Sequence, residues 1–227
     1  MEVIDFIPID LDARDLIRTL KNRRMKETKV VPLIEDCRRL IEPTTVYTLL
    51  KVTSIKKDEI QLESEYILKS SILGEVLKVN QTVVPYIVTI GPGLEKKASE
   101  ETKSSILRGF IMECIADYAV EKAAAYVRSL MKEKLGSTIS NFTPGSGTGK
   151  LFDIKQQEVI FQILNPTGTI GVHLTPSFLM IPRKSLSGIF AATPEEYFAC
   201  QYCPRTCEYR KKSFSGESLT QHCEYNI

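Results

Sequence analysis

Four of the six cysteines lie in the last part of the chain, and their spacing suits metal binding. Cys200, Cys203 and Cys207 form a Cys-x-x-Cys-x-x-x-Cys run, and Cys223 follows later. Three thiolates this close in sequence can converge on one ion or cluster, and a fourth can complete the ligand set. The pattern predicts a structural zinc ion or an iron–sulfur cluster, with His222 ranked below the cysteines as a zinc ligand. Chance clustering of reduced thiols is the alternative.

The second candidate is the glycine-rich stretch Pro144-Gly-Ser-Gly-Thr-Gly-Lys150. Glycine-rich loops before helices bind phosphates through backbone N–H groups, so the stretch invites comparison with a nucleoside triphosphate site. The spacing argues against that function, because Pro144 stands where the first glycine is required and Leu151 stands where Ser or Thr is required. A plain connector between two elements is the other alternative.

A mixture of helices and strands must position these candidates. Helical spacing of apolar residues predicts helices over 12–20, 31–40, 71–78, 95–135 and 153–164. Alternating or Thr-, Val- and Tyr-rich stretches predict strands over 44–53, 59–63, 82–90, 170–175 and 178–182, and residues 137–150 are predicted to be a polar loop. Because strands and helices do not alternate regularly, the pattern favours an α+β fold: a single domain with a mainly antiparallel sheet flanked by helices, one of them long.

The predicted helix over 95–135 ends at Gly136 and carries an apolar stripe that is expected to face the core. The stripe consists of Leu107, Phe110, Ile111, Cys114, Ile115 and Tyr118. Cys37 and Cys114 occupy such apolar positions and are therefore predicted to be core thiols. Residues 1–196 are predicted to form the main domain and 197–227 a Cys-rich tail.

The composition excludes several classes of function. Hydrophobic residues make up 43% and charged residues 26%, as in an ordinary globular protein. A net charge of +2 provides no basic excess, so neither nucleic acid nor a membrane surface is an expected partner. The acidic start of the chain lacks the basic region of a secretory signal, and no apolar stretch is long enough to cross a bilayer. A cytoplasmic location is expected, where thiols stay reduced.

Three blocks, in order, resemble the reactivation domain of cobalamin-dependent methionine synthase. The first is the helical block Ala116-Asp117-x-x-Val120-Glu121-x-x-Ala124-x-Tyr126. The second is Asn141-Phe-Thr-Pro-Gly-Ser-Gly with the following Gln157 and Ile160-Phe161, and the third runs from Gly171 to Gly188 and contains Leu-Thr-x-Ser-x-x-Met-x-Pro and Ser-x-Ser-Gly. The resemblance covers about residues 116–197.

The resemblance implies a groove that binds S-adenosylmethionine. Such a cofactor requires carboxylates near its positive charges and a close backbone approach that glycine permits. The implied cofactor-binding residues are Asp5, Glu121, Asn141, Thr143, Pro144, Gly145 and Ser146. Tyr197 matches an aromatic position after the last strands and is expected to face the cofactor or the corrin, with a core position as the alternative.

Two departures bear on that site. The family has Arg before the Pro-Gly loop and Tyr after it, whereas this chain has Asn141 and Ser146. An asparagine cannot reproduce the planar fork with which arginine binds a carboxylate. No cobalamin-ligating Asp-x-His-x-x-Gly motif is present, and His173, in a predicted strand, is expected to be a core or edge residue.

The resemblance therefore implies a protein that binds S-adenosylmethionine and supports reductive methylation of cobalamin held on a separate corrinoid protein or on methionine synthase modules, with an external electron donor. The positioned cofactor supplies an activated methyl group, so the protein chiefly orients it. The alternative is a non-catalytic module that docks on a corrinoid protein and carries a structural metal in its tail. An ATP-dependent reactivator is a third possibility, which the loop spacing disfavours.

Overall fold

The computed structural model describes residues 1–19, 26–136, 138–147, 149–206 and 210–214. The helices are α1 (Ala13–Thr19), α2 (Glu27–Arg38), α3 (Ser71–Val76), α4 (Gly93–Ser104), α5 (Ile106–Leu135), α6 (Gln157–Leu164) and α7 (Pro166–Thr169). The strands are β1 (Glu2–Ile4), β2 (Thr44–Tyr47), β3 (Leu50–Lys56), β4 (Glu59–Leu62), β5 (Ile67–Lys69), β6 (Thr82–Thr89), β7 (Ile139–Phe142), β8 (His173–Leu174), β9 (Met180–Ile181) and β10 (Ser185–Ala192).

The chain divides into two compact units. Unit 1 comprises Met1–Thr48, Tyr86–Leu130 and Leu164–Leu186, and unit 2 comprises Leu49–Pro85, Met131–Ile163 and Ser187–Ile227. The strand pairings within each unit are antiparallel. The predicted α+β class, with a mainly antiparallel sheet and one long helix, is confirmed. In the part of the chain that the structure describes, no helix has both the length and the apolar character needed to span a bilayer.

In unit 1, β1 pairs with β2, and β2 pairs with the second half of β6. Helix α1 begins where the sequence predicts, because the Asp12 side chain accepts a hydrogen bond from the Asp15 N–H at 2.6 Å. Helix α2 buries Leu33, Ile34 and Cys37. Cys37 is fully buried, which confirms its prediction as a core thiol.

The stretch over 95–135, predicted to be helical almost without interruption, is interrupted once, where the chain breaks into α4 and α5 at Ser105. Ser105 is extended, and its hydroxyl accepts a hydrogen bond from the Arg108 N–H at 3.3 Å, which caps the start of α5. A Cβ at Gly109 would lie 2.0 Å from Thr102 Oγ1 and 2.9 Å from the Ala98 carbonyl oxygen, so the glycine allows α5 to approach α4.

The apolar stripe of α5 is buried only in part. Leu107 and Phe110 are 52% and 43% exposed, so their prediction as core residues is wrong. Ile111, Cys114, Ile115 and Tyr118 are buried, as the apolar stripe predicts. The helix ends at Gly136, which has a φ of +66° that suits glycine.

In unit 2, β4 pairs with both β3 and β5, and β3 also pairs with the first half of β6. Strand β7 pairs with β10 in a register that sets Phe142 opposite Ile189. Residues 139–142 were predicted as part of a polar loop, and that prediction is wrong. Their polar residue Ser140 is fully buried because its hydroxyl has a partner in the Thr193 hydroxyl at 2.6 Å.

Helix α6 follows a 3₁₀ turn over Ile154–Gln156, at which the Asp153 side chain accepts a hydrogen bond from the Lys155 N–H. The helix buries Ile160 and Leu164, as predicted, whereas Ile154 is 37% exposed. The strands predicted near 170–175 and 178–182 reduce to the two-residue pair β8–β9, in which His173 is an exposed strand residue.

Candidate functional site

The glycine-rich stretch forms a tight turn directly after β7. The Thr143 carbonyl accepts hydrogen bonds from the Ser146 N–H at 3.2 Å and from the Ser146 hydroxyl at 2.8 Å. The Gly145 N–H donates to the Phe152 carbonyl at 2.8 Å, which ties the turn to the chain that follows it. Backbone and side-chain hydrogen bonds therefore stabilise the conformation of Thr143–Ser146, the cofactor turn of the sequence prediction.

The turn requires glycine at position 145. Gly145 has a φ of +79°, and a Cβ there would lie 2.7 Å from the Ile154 Cδ1. Pro144 is buried beside it, whereas Gly145 is exposed. Ile154 covers the side of Gly145 on which a Cβ would stand, but the residue is exposed elsewhere, so a ligand can approach the rest of its backbone.

Tyr197 lies in a stack of three aromatic rings. Its ring centroid is 4.8 Å from that of Phe142 and 5.6 Å from that of Tyr202, with nearly parallel planes in both pairs. The Tyr197 N–H donates to the Ser140 hydroxyl at 2.7 Å, which fixes the backbone beside β7. Burial raises the pKa of the Tyr197 phenol, and nearby Tyr202 and Cys200 raise it further. Such a phenol stays neutral at physiological pH.

A narrow crevice separates the turn from its neighbours in unit 2. It is lined by Ile72, Phe142, Thr143, Ser146, Leu151, Phe152 and Tyr197. The structure thus brings three of the predicted site residues together, namely Thr143, Ser146 and Tyr197. Phe142 and Tyr202 were missed by the sequence prediction. The sequence offers one signal for each: Phe142 directly precedes the turn, and Tyr202 lies between Cys200 and Cys203.

The remaining predicted cofactor residue of unit 2 is Asn141. It is half-buried in β7, where it stands opposite Phe190 of β10. The strand therefore places Asn141 immediately before the turn, as the sequence motif implies.

Glu121 and Asp5 lie in unit 1. Glu121 is exposed on α5, and none of the ion pairs between described residues involves it. Asp5 is exposed after β1, close in sequence to the fully buried Ile7, whose N–H donates to the Pro43 carbonyl at 3.0 Å. Both carboxylates are open to solvent, and their predicted contact with a cofactor stays a prediction.

The same helix carries an ion-paired cluster that sequence reasoning missed. Lys184 Nζ lies 2.7 Å from Glu113 Oε2 and 2.6 Å from Asp117 Oδ1. Arg183 donates from its guanidinium to Glu113 at 2.8 Å and from its backbone N–H to Glu95 at 2.8 Å. Residues 183–184, directly before β10, are therefore held on the acidic face of α5.

Charge pairing in this cluster outweighs burial. Burial opposes the charge on Lys184, but hydrogen bonds to Asp117 and Glu113 raise its pKa above the usual value. Burial likewise opposes the charge on Glu113, but Lys184 and Arg183 hold its pKa below the usual value. A second network lowers the pKa of Asp15, which accepts hydrogen bonds from Lys122 and Tyr118.

The predicted metal ligands are described only in part. Cys200 and Cys203 are half-buried free thiols. Cys207 and Cys223 lie outside the described residues, as does His222. Within the described ranges, no group of three or more metal-ligating side chains is assembled. The four-cysteine site therefore stays a prediction.

Residues 11–212 match the family model described as "Vitamin B12 dependent methionine synthase, activation domain". The chain belongs to this family. The match spans most of the sequence and confirms the resemblance seen in the three blocks.

This activation domain also resembles a solved structure, the "Crystal Structure of the MetH Reactivation Domain bound to AdoHcy". The alignment covers 82% of this chain and 67% of that one, with a TM-score of 0.58 and 16% sequence identity. At this identity the likeness concerns the fold.

Within this activation domain, the family-like blocks fall in both units. The helical block around Glu121 and most of the segment from Gly171 to Gly188 belong to unit 1, whereas the turn at Pro144 belongs to unit 2. In unit 1 the helical block and the later segment meet directly, because Lys184 bonds to Asp117. This contact gives a physical reason for two distant motifs to occur together.

Proposed function

We propose that this activation domain binds S-adenosylmethionine and supports reductive methylation of a corrinoid cofactor held on another protein or module. Membership of the family supports the reactivation role. The structurally similar reactivation domain was solved with AdoHcy, which is S-adenosylmethionine without its transferable methyl group. The observation that carries the proposal is the pinned turn with an exposed glycine at Gly145.

The polar groups of the turn that are not already hydrogen-bonded suit one part of the cofactor better than another. The N–H groups of Gly145, Ser146 and Gly149 all donate within unit 2, so they do not serve an incoming carboxylate. The Thr143 hydroxyl makes no hydrogen bond to another described residue, and Thr143 lines the narrow crevice, which is too small to hold the cofactor itself. The exposed glycine backbone and this hydroxyl suit the adenosine portion, which carries both donors and acceptors.

The cationic groups of the cofactor need carboxylates instead. Glu121 and Asp5 are exposed and are the predicted contacts for the ammonium and sulfonium charges. A charge-assisted hydrogen bond of this kind contributes about 1.5–3 kcal/mol. Loss of one such contact is therefore expected to weaken binding by about tenfold or more.

The sulfonium supplies an already activated methyl group when the cofactor is bound. The residues of this chain then have only a positioning role. Neither acid nor base catalysis is required of Tyr197. Its pKa is raised, so its phenol stays neutral and serves as a packing group. A corrinoid-carrying partner and an electron donor complete the proposed reaction.

Titration calorimetry of the purified chain with S-adenosylmethionine tests this proposal. Saturable binding is expected, together with a rise in melting temperature, because a ligand that binds only the folded state stabilises it. Glu121→Gln is expected to weaken binding about tenfold. Glu133→Gln is the matched control, since Glu133 is also exposed on α5. The absence of heat and of a thermal shift at millimolar ligand would overturn the proposal.

A second candidate function is a non-catalytic module that docks on a corrinoid protein. It is favoured by Asn141 and Ser146, which stand where the family has Arg and Tyr. The Ser146 hydroxyl is already bonded to the Thr143 carbonyl within the turn. Co-migration of the chain with a cobalamin-loaded methionine synthase fragment, without any S-adenosylmethionine binding, is the result that identifies this function.

A further inference from the structure

Cys200 lies in a short 3₁₀ turn, and Cys203 follows directly at the end of that turn. The 3₁₀ turn spans Ala199–Tyr202, and the Cys203 N–H donates to the Cys200 carbonyl at 3.4 Å. Both thiols are free and half-buried, so they are open to an incoming ion while the turn holds them in place.

Arg210 organises the backbone around these cysteines. One terminal nitrogen of its guanidinium donates to the Cys200 carbonyl at 2.8 Å and to the Lys212 carbonyl at 3.4 Å. The other donates to the Cys203 carbonyl at 2.8 Å and to the Arg205 carbonyl at 2.6 Å. These bonds come from two separate guanidinium nitrogens, an arrangement that the single ammonium nitrogen of a lysine cannot reproduce.

The cysteine turn packs against the cofactor turn within unit 2. Tyr202, between the two cysteines, stacks on Tyr197, and Tyr197 stacks on Phe142, which directly precedes Thr143. A second contact is made at Gly147, where a Cβ would lie 3.3 Å from the Ala199 carbonyl oxygen. Packed groups therefore connect the cysteine turn to the cofactor turn without a gap.

We propose that Cys200 and Cys203 bind a thiolate-ligated metal centre, that Arg210 positions these ligands, and that the bound metal holds the Thr143–Ser146 turn in its binding conformation. Each thiol releases its proton to solvent as its sulfur bonds to the metal, with no change in oxidation state. Zn²⁺ and an iron–sulfur cluster share this ligand chemistry. The effect on the cofactor turn rests on the proposed binding of S-adenosylmethionine.

The metal part of the proposal is tested with the full chain and without any cofactor. The protein purified anaerobically is expected to contain zinc, or iron with acid-labile sulfide, and either result supports the thiolate site. After metal removal, Co²⁺ is expected to restore a thiolate-to-cobalt charge-transfer band, which Cys200→Ser and Cys203→Ser abolish. A metal-free protein that gives no such band with Co²⁺ would overturn this part.

The role of Arg210 is tested by the affinity for Co²⁺. Arg210→Gln is expected to weaken Co²⁺ binding by about 10- to 100-fold, the usual effect of losing a group that orients metal ligands. Arg205→Gln is the matched control, because Arg205 contributes only its carbonyl to this network and its side chain is exposed. Equal Co²⁺ affinities for the two variants would show that Arg210 has no positioning role.

The coupling between the two turns is tested by titrating metal-loaded and metal-stripped protein with S-adenosylmethionine. Stripping is expected to weaken binding about tenfold, and Tyr202→Ala, which removes the outer ring of the stack, is expected to abolish this difference while retaining Co²⁺ binding. Equal affinities with and without metal would refute the coupling and leave the proposed function standing. Failure of S-adenosylmethionine to bind in either state would refute the proposed function, whereas the Co²⁺ result would still decide the metal site.

Discussion

The segment at Arg183 and Lys184 and the turn at Thr143–Ser146 both carry family-like motifs, but different forces hold them. In unit 1, Lys184 is only 12% exposed and contacts two carboxylates on α5. In unit 2, the turn is held by backbone hydrogen bonds and lies beside the stacked rings of Phe142 and Tyr197. Charge pairs depend on pH and salt, whereas ring stacking and backbone hydrogen bonds depend on them little. The two segments should therefore respond differently to the same perturbation.

The largest expected effect is at the aromatic stack. Tyr197→Ala is expected to reduce the free energy of unfolding by about 2–4 kcal/mol, because it removes a largely buried ring that packs on two others. Urea denaturation measures this change. Tyr197→Phe keeps the ring and should stay within about 1 kcal/mol of the wild type. A large loss in the Phe variant would show that the hydroxyl, and not the stack, stabilises unit 2.

The next effect is at the charge cluster of unit 1. Lys184→Met is expected to cost about 1–3 kcal/mol, because Glu113 and Asp117 lose a shared, largely buried partner. Lys184→Arg keeps the charge and is the control. The cost of Lys184→Met, measured by urea denaturation, should shrink in part in high salt, because Asp117 and Glu113 are partly exposed, while that of Tyr197→Ala should not shrink. Equal salt dependence of the two variants would remove the distinction between the units.

A smaller effect is expected from the backbone of the turn. Gly149→Ala should cost about 1 kcal/mol, because Gly149 has a φ of +74° but nothing within 4 Å of an added Cβ. Gly145→Ala should cost about 2 kcal/mol, because the added methyl group would cause the same backbone strain and would also clash with Ile154. Thermal denaturation of both variants measures the difference. Ile154→Ala in the Gly145→Ala background should remove that difference if the contact causes it.

The smallest effect concerns acid stability and involves unit 1. The pKa of Glu113 is lower in the folded protein than its usual value of 4.5, so its ion pairs contribute stability above about pH 4.5. That contribution is lost as the pH falls from 4.5 through the lower folded pKa. Lys184→Met should therefore flatten the loss of stability in this range, as measured by urea denaturation at several pH values. If the free energy of unfolding of the variant fell with pH as steeply as that of the wild type, this account would be contradicted.

Local sequence patterns predicted most elements because they depend on neighbours along the chain. The cap at Asp12, the core position of Cys37 and the stop at Gly136 all follow from residue type and spacing. The break at Ser105 has a local signal, a serine cap, but a continuous run of helix-forming residues conceals it. Leu107 and Phe110, near the start of α5, have the same apolar spacing as the buried Ile111 but are exposed, because burial depends on what packs against the helix at that point.

The candidate site was predictable only where a motif is contiguous. Thr143, Pro144 and Gly145 form one turn in sequence and in the structure, so the motif identified them together. Phe142 and Tyr202 are far apart in sequence, and the stack that joins them through Tyr197 could not be inferred from spacing. The strand at Ile139–Phe142 was missed for the same reason. Its polar Ser140 can be buried only because β10 pairs with the strand and the Thr193 hydroxyl bonds to the Ser140 hydroxyl.

By itself, the sequence determined the fold class, the family and the identity of the turn, since these depend on short-range periodicity and on motif order. Only the tertiary structure decided that Lys184 bonds to Asp117, that Tyr197 stacks between other rings and that Arg210 binds the carbonyl groups around Cys200 and Cys203. Each of these contacts joins residues through space, and its geometry depends on how the elements pack. No local pattern of residue types encodes that packing.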